Sequence, residues 1–300
     1  MNKKNPCALI LLGPTASGKS HLALKLAEEF KGTIINADSM QVYKNFPTLS
    51  AFPSREDFEK SPHRLYGVFD LTHGEQCSAS KWVMQAKTEI QETLEARRLP
   101  ILVGGTGFYI KALLEGLSTI PDIPGSIRTF LWNSLENEKE RVFLYNYLKK
   151  VDPETAGRIK MGDTQRLVRA LEVFFYTKKP ISFWNKQPQK PLLDLNFRII
   201  TLIPKREDLY ANINQRSKKI LEEGAIDEVE MFLKNENNKE IKVNIIGYRE
   251  IQSYLAGEKT YPEMLEKLQQ KTRNYAKRQI TWIRHQVRAD LTIESIGKYP

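Results

Sequence analysis

The densest chemistry in this sequence lies in Gly13-Pro14-Thr15-Ala16-Ser17-Gly18-Lys19-Ser20. The spacing is that of a P-loop, G-x-x-x-x-G-K-[ST]. In such a loop, backbone N–H groups face phosphate oxygens, and the next helix adds the positive end of its dipole. Gly13 and Gly18 let the backbone approach closely and take positive φ. Lys19 brings a mobile cation, and the Ser20 hydroxyl suits Mg²⁺. Such a loop is usually nucleotide-binding, with ATP the common case. Residue types alone leave any other diphosphate equally open.

Four further features carry functional side chains. Asp38 follows the apolar run Thr33-Ile34-Ile35. After a strand it stands at the same rim of a sheet as the P-loop. There it is a general base, a Mg²⁺ ligand, or a cap for the Ser39-Met40-Gln41 turn. Thr106, within Gly104-Gly105-Thr106-Gly107, is a phosphate donor or a turn residue. Arg166 and Arg169 are three apart and share a helix face, against phosphates and base edges or against solvent. Arg216 and Arg249 gain nothing from spacing. Lys267 to Ala289 holds seven Lys/Arg and no acid. Arg273, Lys277, Arg284 and Arg288 fall on one stripe, with Tyr275, Ala276, Ile280, Ile283 and Val287 opposite. A one-sign stripe favours contact with a polyanion. His63, His73, Cys7 and Cys77 show no metal-binding spacing.

The elements that position these residues can be read coarsely. Apolar runs at Ala8–Leu12, Thr33–Ile35, Leu99–Val103 and Phe197–Ile203 read as strands. The first and third end in glycine loops that open helices, which is the unit of a parallel α/β sheet. Ser78–Arg98 reads as a helix capped by Ser78 or Ser80. Pro121, Pro124 and Gly125 break the pattern. From Ser126 to Phe175 it is helical, with Asp152 and Asp163 as caps, and a linker runs from Lys178 to Pro191. Helices then follow at Arg206–Glu222, Ala225–Leu233, Tyr248–Leu255 and Tyr261–Ala289. The expected fold is a P-loop NTPase-like α/β core, a parallel sheet flanked by helices, over residues 1–117 and 196–300. An all-helical insertion occupies 118–195.

Composition sets the outer bounds. At 300 residues and 41% hydrophobic, the chain can bury a sizeable core. No run of 18 apolar residues exists to span a membrane. Two cysteines exclude a disulfide scaffold or a Cys-rich zinc module. The short apolar run after the N-terminus is soon broken by Gly-Pro, unlike a signal peptide, so the cytoplasm is the expected compartment. The formal charge is +10, which points to a polyanionic partner such as nucleic acid.

Over nearly its whole length the sequence resembles the tRNA dimethylallyltransferases, or tRNA isopentenyltransferases. The blocks that carry the resemblance are Gly13 to Ser20, Asn36 to Tyr43, Pro62 to Leu65, Pro100 to Leu114, Asp152 to Ile159 and Asp163 to Val173. Gly224 to Val229, Ile246 to Glu250 and Thr272 to Trp282 complete the set. The resemblance implies transfer of a dimethylallyl group from dimethylallyl diphosphate to N6 of adenosine 37 beside the tRNA anticodon. The P-loop would then hold the donor's pyrophosphate, with Thr15, Lys19 and Arg216 on the departing group, Mg²⁺ at Ser20, and Asp38 as the base. The resemblance assigns tRNA contacts to Asp38, Ser39, Met40, Gln41, Thr106, Arg128, Gln165, Arg166, Leu167, Val168, Arg169, Gly247, Tyr248 and Arg249, and Arg273 and Lys277 of the stripe join them. It implies that the helical insertion clamps the anticodon stem-loop and that the enzyme acts as a monomer. Lys44 to Pro53 departs from the Asp-Ile-Gly-Thr-Ala-Lys-Pro-like stretch of many members, so contacts from that loop are not carried over. The Cys/His finger of eukaryotic relatives is missing, as in bacterial-type enzymes. The competing readings are an ATP-dependent kinase and a non-enzymatic RNA-binding P-loop protein.

Overall fold

The computed structural model describes residues 7–295. In chain order the first elements are β1 (Cys7–Leu12), α1 (Lys19–Glu29), β2 (Gly32–Asn36), α2 (Arg55–Lys60), β3 (His63–Arg64), α3 (Ala79–Glu95), β4 (Leu99–Gly104) and α4 (Gly107–Glu115). Five helices follow: α5 (Gly125–Ser134), α6 (Glu138–Val151), α7 (Pro153–Arg158), α8 (Thr164–Thr177) and α9 (Ile181–Asn185). The chain ends with β5 (Asn196–Leu202), α10 (Arg206–Ile220), α11 (Ile226–Lys234), α12 (Tyr248–Leu255), α13 (Tyr261–Gln286) and β6 (Leu291–Ile293). By internal contacts the chain divides after Leu114 and again after Pro191 into two compact units.

The first unit is built on a six-stranded sheet in the order β3-β2-β4-β1-β5-β6. Every pair is parallel. The inner strands are continuous apolar runs because helices cover both faces. Leu11, Ile34, Ile101 and Val103 pack with Ala23, Leu24 and Ala27 of α1. On α3, Trp82 is fully buried, stacks on Tyr109 at 4.7 Å and donates its Nε1–H to the Asn36 carbonyl. β1 and β4 are neighbours, and the chain leaves β1 towards β2 on one side and leaves β4 towards β5 on the other. Ligands of open α/β sheets bind at such a switch point.

A second core lies beside the sheet. Phe46, with its ring 4.8 Å from Phe232 and 5.3 Å from Tyr248, packs there with Val229, Ile251 and Leu268. It fixes the segment after β2, which sequence alone left as loops. Thr48 and Leu49 each donate a backbone N–H at 2.9 Å to the Glu228 carboxylate on α11. The divergent stretch Lys44–Pro53 is therefore anchored at its middle.

The helical unit has its own core of Leu131, Leu144, Leu148, Leu167, Val168 and Leu171. Asp152 and Asp163 cap α7 and α8, accepting from Thr155 N and Arg166 N. Glu172 is 1% exposed and is held by both Arg128 (2.7 and 2.9 Å) and Arg169 (2.6 Å). Burial pushes its carboxyl up, but these hydrogen bonds outweigh burial and leave it lowered.

Three local readings change. The linker contains α9, whose Ser182 N–H donates to the Asp152 carboxylate. A π-turn with Gly224 at φ 102 joins α10 to α11. The last helix stops at Gln286 rather than Ala289, because Asp290 accepts from Ile199 N–H and Arg198 and leads the chain into β6. Arg288 therefore leaves the stripe.

Candidate active site

The P-loop leaves β1 at the switch point and ends at Gly18, the N-cap of α1, with φ 90. Gly13 is required by close approach. A Cβ there would lie 2.6 Å from the Leu202 carbonyl and 2.8 Å from Ser17 Oγ. The first-turn amides of α1 have no intrahelical partner, so they are available to an anion. Pro14 and Ala16 complete the loop, with Lys19 Nζ 3.1 Å from the Pro14 carbonyl. Two buried polar atoms in or against the loop, Ser17 Oγ and Gln279 Nε2, have no hydrogen-bond partner. An unsatisfied buried donor costs roughly 1–3 kcal/mol, and a bound anion is one way to satisfy it.

Three charges from three elements meet beside the loop. Lys19 is 8% exposed and Asp38 is 9% exposed. Arg216, from the middle of α10, donates to Thr15 Oγ1 at 3.3 Å and to the Ser50 carbonyl at 3.4 Å. Burial pulls the Lys19 ammonium down to about 8, against an upward pull from Asp38, with Arg216 adding to the fall. Burial also lowers Arg216, and Asp38 opposes it. One carboxylate thus faces two cations, Lys19 buried and Arg216 half-buried, leaving a net positive pocket suited to a polyphosphate.

This pocket has a pH signature. Lys19 loses its proton above about 8, and a bound diphosphate would restore it. Pyrophosphate affinity is expected to fall as pH rises from 7 towards about 9.5, with net proton uptake on binding above pH 8. Calorimetry in buffers of different ionisation enthalpy checks this. A flat affinity without uptake would exclude Lys19 as a contact.

Asp38 caps the turn that follows it. Its Oδ1 accepts from Met40 N–H at 2.9 Å, which is the turn cap. Its own N–H donates to Asn36 Oδ1, and Asn36 Nδ2 holds the Leu65 carbonyl. The carboxylate is thereby fixed in the lining of a cleft. Thr15, Asp38, Ser50, Arg216, Ser217, Thr272 and Tyr275 supply its polar lining. Met40, Leu49, Ile213, Ile220, Ile246 and Leu268 supply its aliphatic lining.

Uncharged residues of α13 also close the site. Gln279 Oε1 accepts from Thr15 N–H at 2.9 Å. Tyr275 hydrogen-bonds Thr106 and Ser39, and burial pushes its phenol up. The Ser39 N–H donates to Thr106 Oγ1 at 2.9 Å. The signal for Gln279 was its place on the apolar face beside Ala276 and Ile283, where an amide needs a partner. A Cβ on Gly105 would overlap the Gln279 amide. Gly105→Ala is therefore expected to weaken pyrophosphate binding about tenfold by displacing one loop hydrogen bond. Gly105→Ala with Gln279→Ala should lose less than the sum of the two single losses, since the overlap with the amide is gone and only the 2.9 Å approach to the Gly13 carbonyl remains. Additive losses by calorimetry would sever this link.

The sequence-derived RNA contacts divide. Leu167 and Val168 are buried at 0% and 2% in the helical core, and Tyr248 at 4% sits between Phe46 and Phe232. These side chains are scaffold and offer no surface to RNA. Gly247 is buried against Leu49. The Gln41 amide is used on the Ser50 and Ala51 carbonyls. Arg273 is spent on Glu266 and Asn214, each within 2.9 Å, an acid the stripe argument did not reach. Arg128 and Arg169 hold Glu172, and Arg166 is 3.4 Å from Asp163. Gln165, Arg249 and Lys277 are exposed. Ser20 is also exposed, at the start of α1, in a cavity shared with Gln41 and Asp57.

The parallel sheet, with the loop that follows its β1, has the P-loop NTPase-like fold. The family model described as IPP transferase matches residues 41–286. The tRNA dimethylallyltransferase of Paramagnetospirillum magneticum is 42% identical over 293 residues, 97% of this chain and 92% of that protein. That of Chelativorans sp. is 42% identical over 285 residues, 94% and 97% of the two chains. The crystal structure of the full-length tRNA isopentenylpyrophosphate transferase of Bacillus halodurans aligns at TM-score 0.66 and 32% identity, covering 97% of this chain and 90% of that one. A eukaryotic dimethylallyltransferase acting on tRNA aligns at TM-score 0.76 and 27% identity, covering 93% and 70%. The chain belongs to the IPP transferase family, that of the tRNA dimethylallyltransferases it matches.

Proposed function

We propose that this enzyme transfers the dimethylallyl group of dimethylallyl diphosphate to N6 of adenosine 37 in tRNA, giving N6-isopentenyladenosine and pyrophosphate. The observation that carries this reading is the cleft, whose lining puts Thr15, Arg216 and Asp38 together with six aliphatic side chains. A kinase site needs no such lining.

The residues divide the chemistry. Loop amides, Lys19, Thr15 and Arg216 bind the diphosphate and stabilise charge on the departing oxygen. The aliphatic lining holds the C5 tail and excludes water from the allylic carbon. As the C1–O bond breaks, the N6–C1 bond forms and the amine proton passes to Asp38. An exocyclic adenine amine is a poor nucleophile, so a fixed carboxylate and close positioning matter. The adenine must leave the stack of the anticodon loop, which costs a few kcal/mol and least in a loop. Ser39, Thr106 and Tyr275 stand beside Asp38 to orient it. The exposed Gln165 and Arg166 of the helical unit, and Lys277 and Arg249 of the catalytic unit, supply further RNA contacts.

Mg²⁺ fits as a partner of the diphosphate. Among the described residues no group of three or more acidic, His or Cys side chains could hold a metal ion. Mg²⁺ at phosphates needs only one or two protein oxygens, and exposed Ser20 beside the loop provides one. When bound, the ion would neutralise charge on the leaving pyrophosphate. No helix of the described residues is long and apolar enough to cross a membrane. The reading places the enzyme with tRNA in the cytoplasm, as a monomer.

The test is incubation with dimethylallyl diphosphate, Mg²⁺ and unmodified tRNA bearing adenosines at positions 36 to 38. Nuclease digestion and mass spectrometry should find isopentenyladenosine at position 37. Unmodified tRNA at full enzyme occupancy would refute the assignment.

A further inference from the structure

A second cavity opens on the catalytic unit, between the start of α10, the C-terminal half of α13 and the end of β5. Lys205 and Arg206 line one side, and Lys277 and Arg284 line the other. No ion pair among the described residues engages any of the four. The Arg206 guanidinium lies over the Tyr210 ring, 5.1 Å from its centroid. Glu294 is the acid in the lining, while Glu207 and Asp208 sit in the first turn of α10. The floor is apolar: Leu209, Tyr210 and Ile280 pack in one cluster with Ala16 of the P-loop.

We propose that this groove binds the RNA phosphodiester backbone, apart from the cleft that takes the reacting base and donor. Charge and spacing choose the occupant. Four cations face a trough with one acid, so the ligand is an anion. Lys277 and Arg284 are seven residues apart, two helical turns, or about 10 Å along the axis. One phosphate cannot reach both; consecutive phosphodiesters can. Tyr210, capped by Arg206, offers a face for a sugar or an unstacked base. The groove floor touches Ala16, so RNA held here lies against the outer wall of the P-loop. Lys205, Arg206 and Tyr210 had no functional role from sequence.

This inference rests on the reading of tRNA as acceptor, yet its test is separate. Labelled unmodified tRNA is titrated with Arg206→Ala/Arg284→Ala across a KCl series. Pyrophosphate binding by calorimetry reports on the folded donor site. The salt slope is expected to fall by about one for each contact removed, and affinity by about tenfold or more. Arg206→Lys/Arg284→Lys should recover most of both, with pyrophosphate affinity unchanged throughout. A wild-type salt slope in the alanine pair would overturn the groove. Should the groove govern tRNA binding while the wild-type protein prenylates nothing, the groove stands and the transfer reading falls. Should prenyl transfer proceed with an unchanged slope, the converse holds.

Discussion

Replacing Asp38 by Asn is expected to slow prenyl transfer by about 10²–10⁴-fold, the range a positioned general base supplies. Asn keeps the side-chain oxygen that accepts from Met40 N–H, so the turn after β2 should survive. What it loses is the ability to take the N6 proton. It also removes the one negative charge facing Lys19 and Arg216. Pyrophosphate affinity should therefore hold or tighten while turnover collapses. This opposite movement separates a base from a merely structural carboxylate, whose loss would weaken both. Single-turnover rates with saturating donor, beside calorimetry with pyrophosphate, give the two numbers. Comparable losses in both would remove Asp38 from the chemistry.

Arg216→Met is expected to lower kcat/KM for the donor by about 10²–10³-fold, as for a lost donor to a developing oxyanion. The methionine keeps much of the buried stem beside Ile213 and Ile220. It removes the contacts to Thr15 and Ser50. A further consequence follows from the lowered Lys19. Arg216 contributes to that lowering, so its removal should raise the Lys19 pKa above about 8. The alkaline limb of pyrophosphate binding should then move to higher pH even as affinity drops. An unmoved limb with full affinity would mean that Arg216 acts elsewhere. Binding of tRNA to the helical unit and the groove should persist in this variant.

How much of this was legible in the sequence depends on the range of each interaction. The P-loop, the strand before it and the carboxylate after β2 are local patterns, and glycine and apolar spacing encode them directly. Caps at Asp152 and Asp163 are equally local, and the structure shows both. The long-range pieces left weaker marks. Gln279 meets Thr15 across 264 positions, and its only mark was a polar residue on an apolar helix face. Leu49 and Glu228 are 179 apart, so the anchoring of the divergent loop had no local signature. The aliphatic lining is drawn from four separate segments, each of which reads singly as ordinary core. Where charge alone carried the reading, it overreached. Arg273 is neutralised by Glu266, seven residues back. Leu167, Val168 and Tyr248 belonged to blocks matched to the family as wholes, and burial separates their scaffold members from exposed neighbours such as Arg166 and Arg249.

The most direct measurement is a count of products in one mixture. Purified enzyme, dimethylallyl diphosphate, Mg²⁺ and tRNA are combined, with adenosine or guanosine at position 37. One pyrophosphate released per adenosine prenylated is the expected result, with no release on the guanosine tRNA. Pyrophosphate release that ignores position 37, or ATP consumed with phosphate appearing on an acceptor, would contradict transfer of the prenyl group from this cleft to N6.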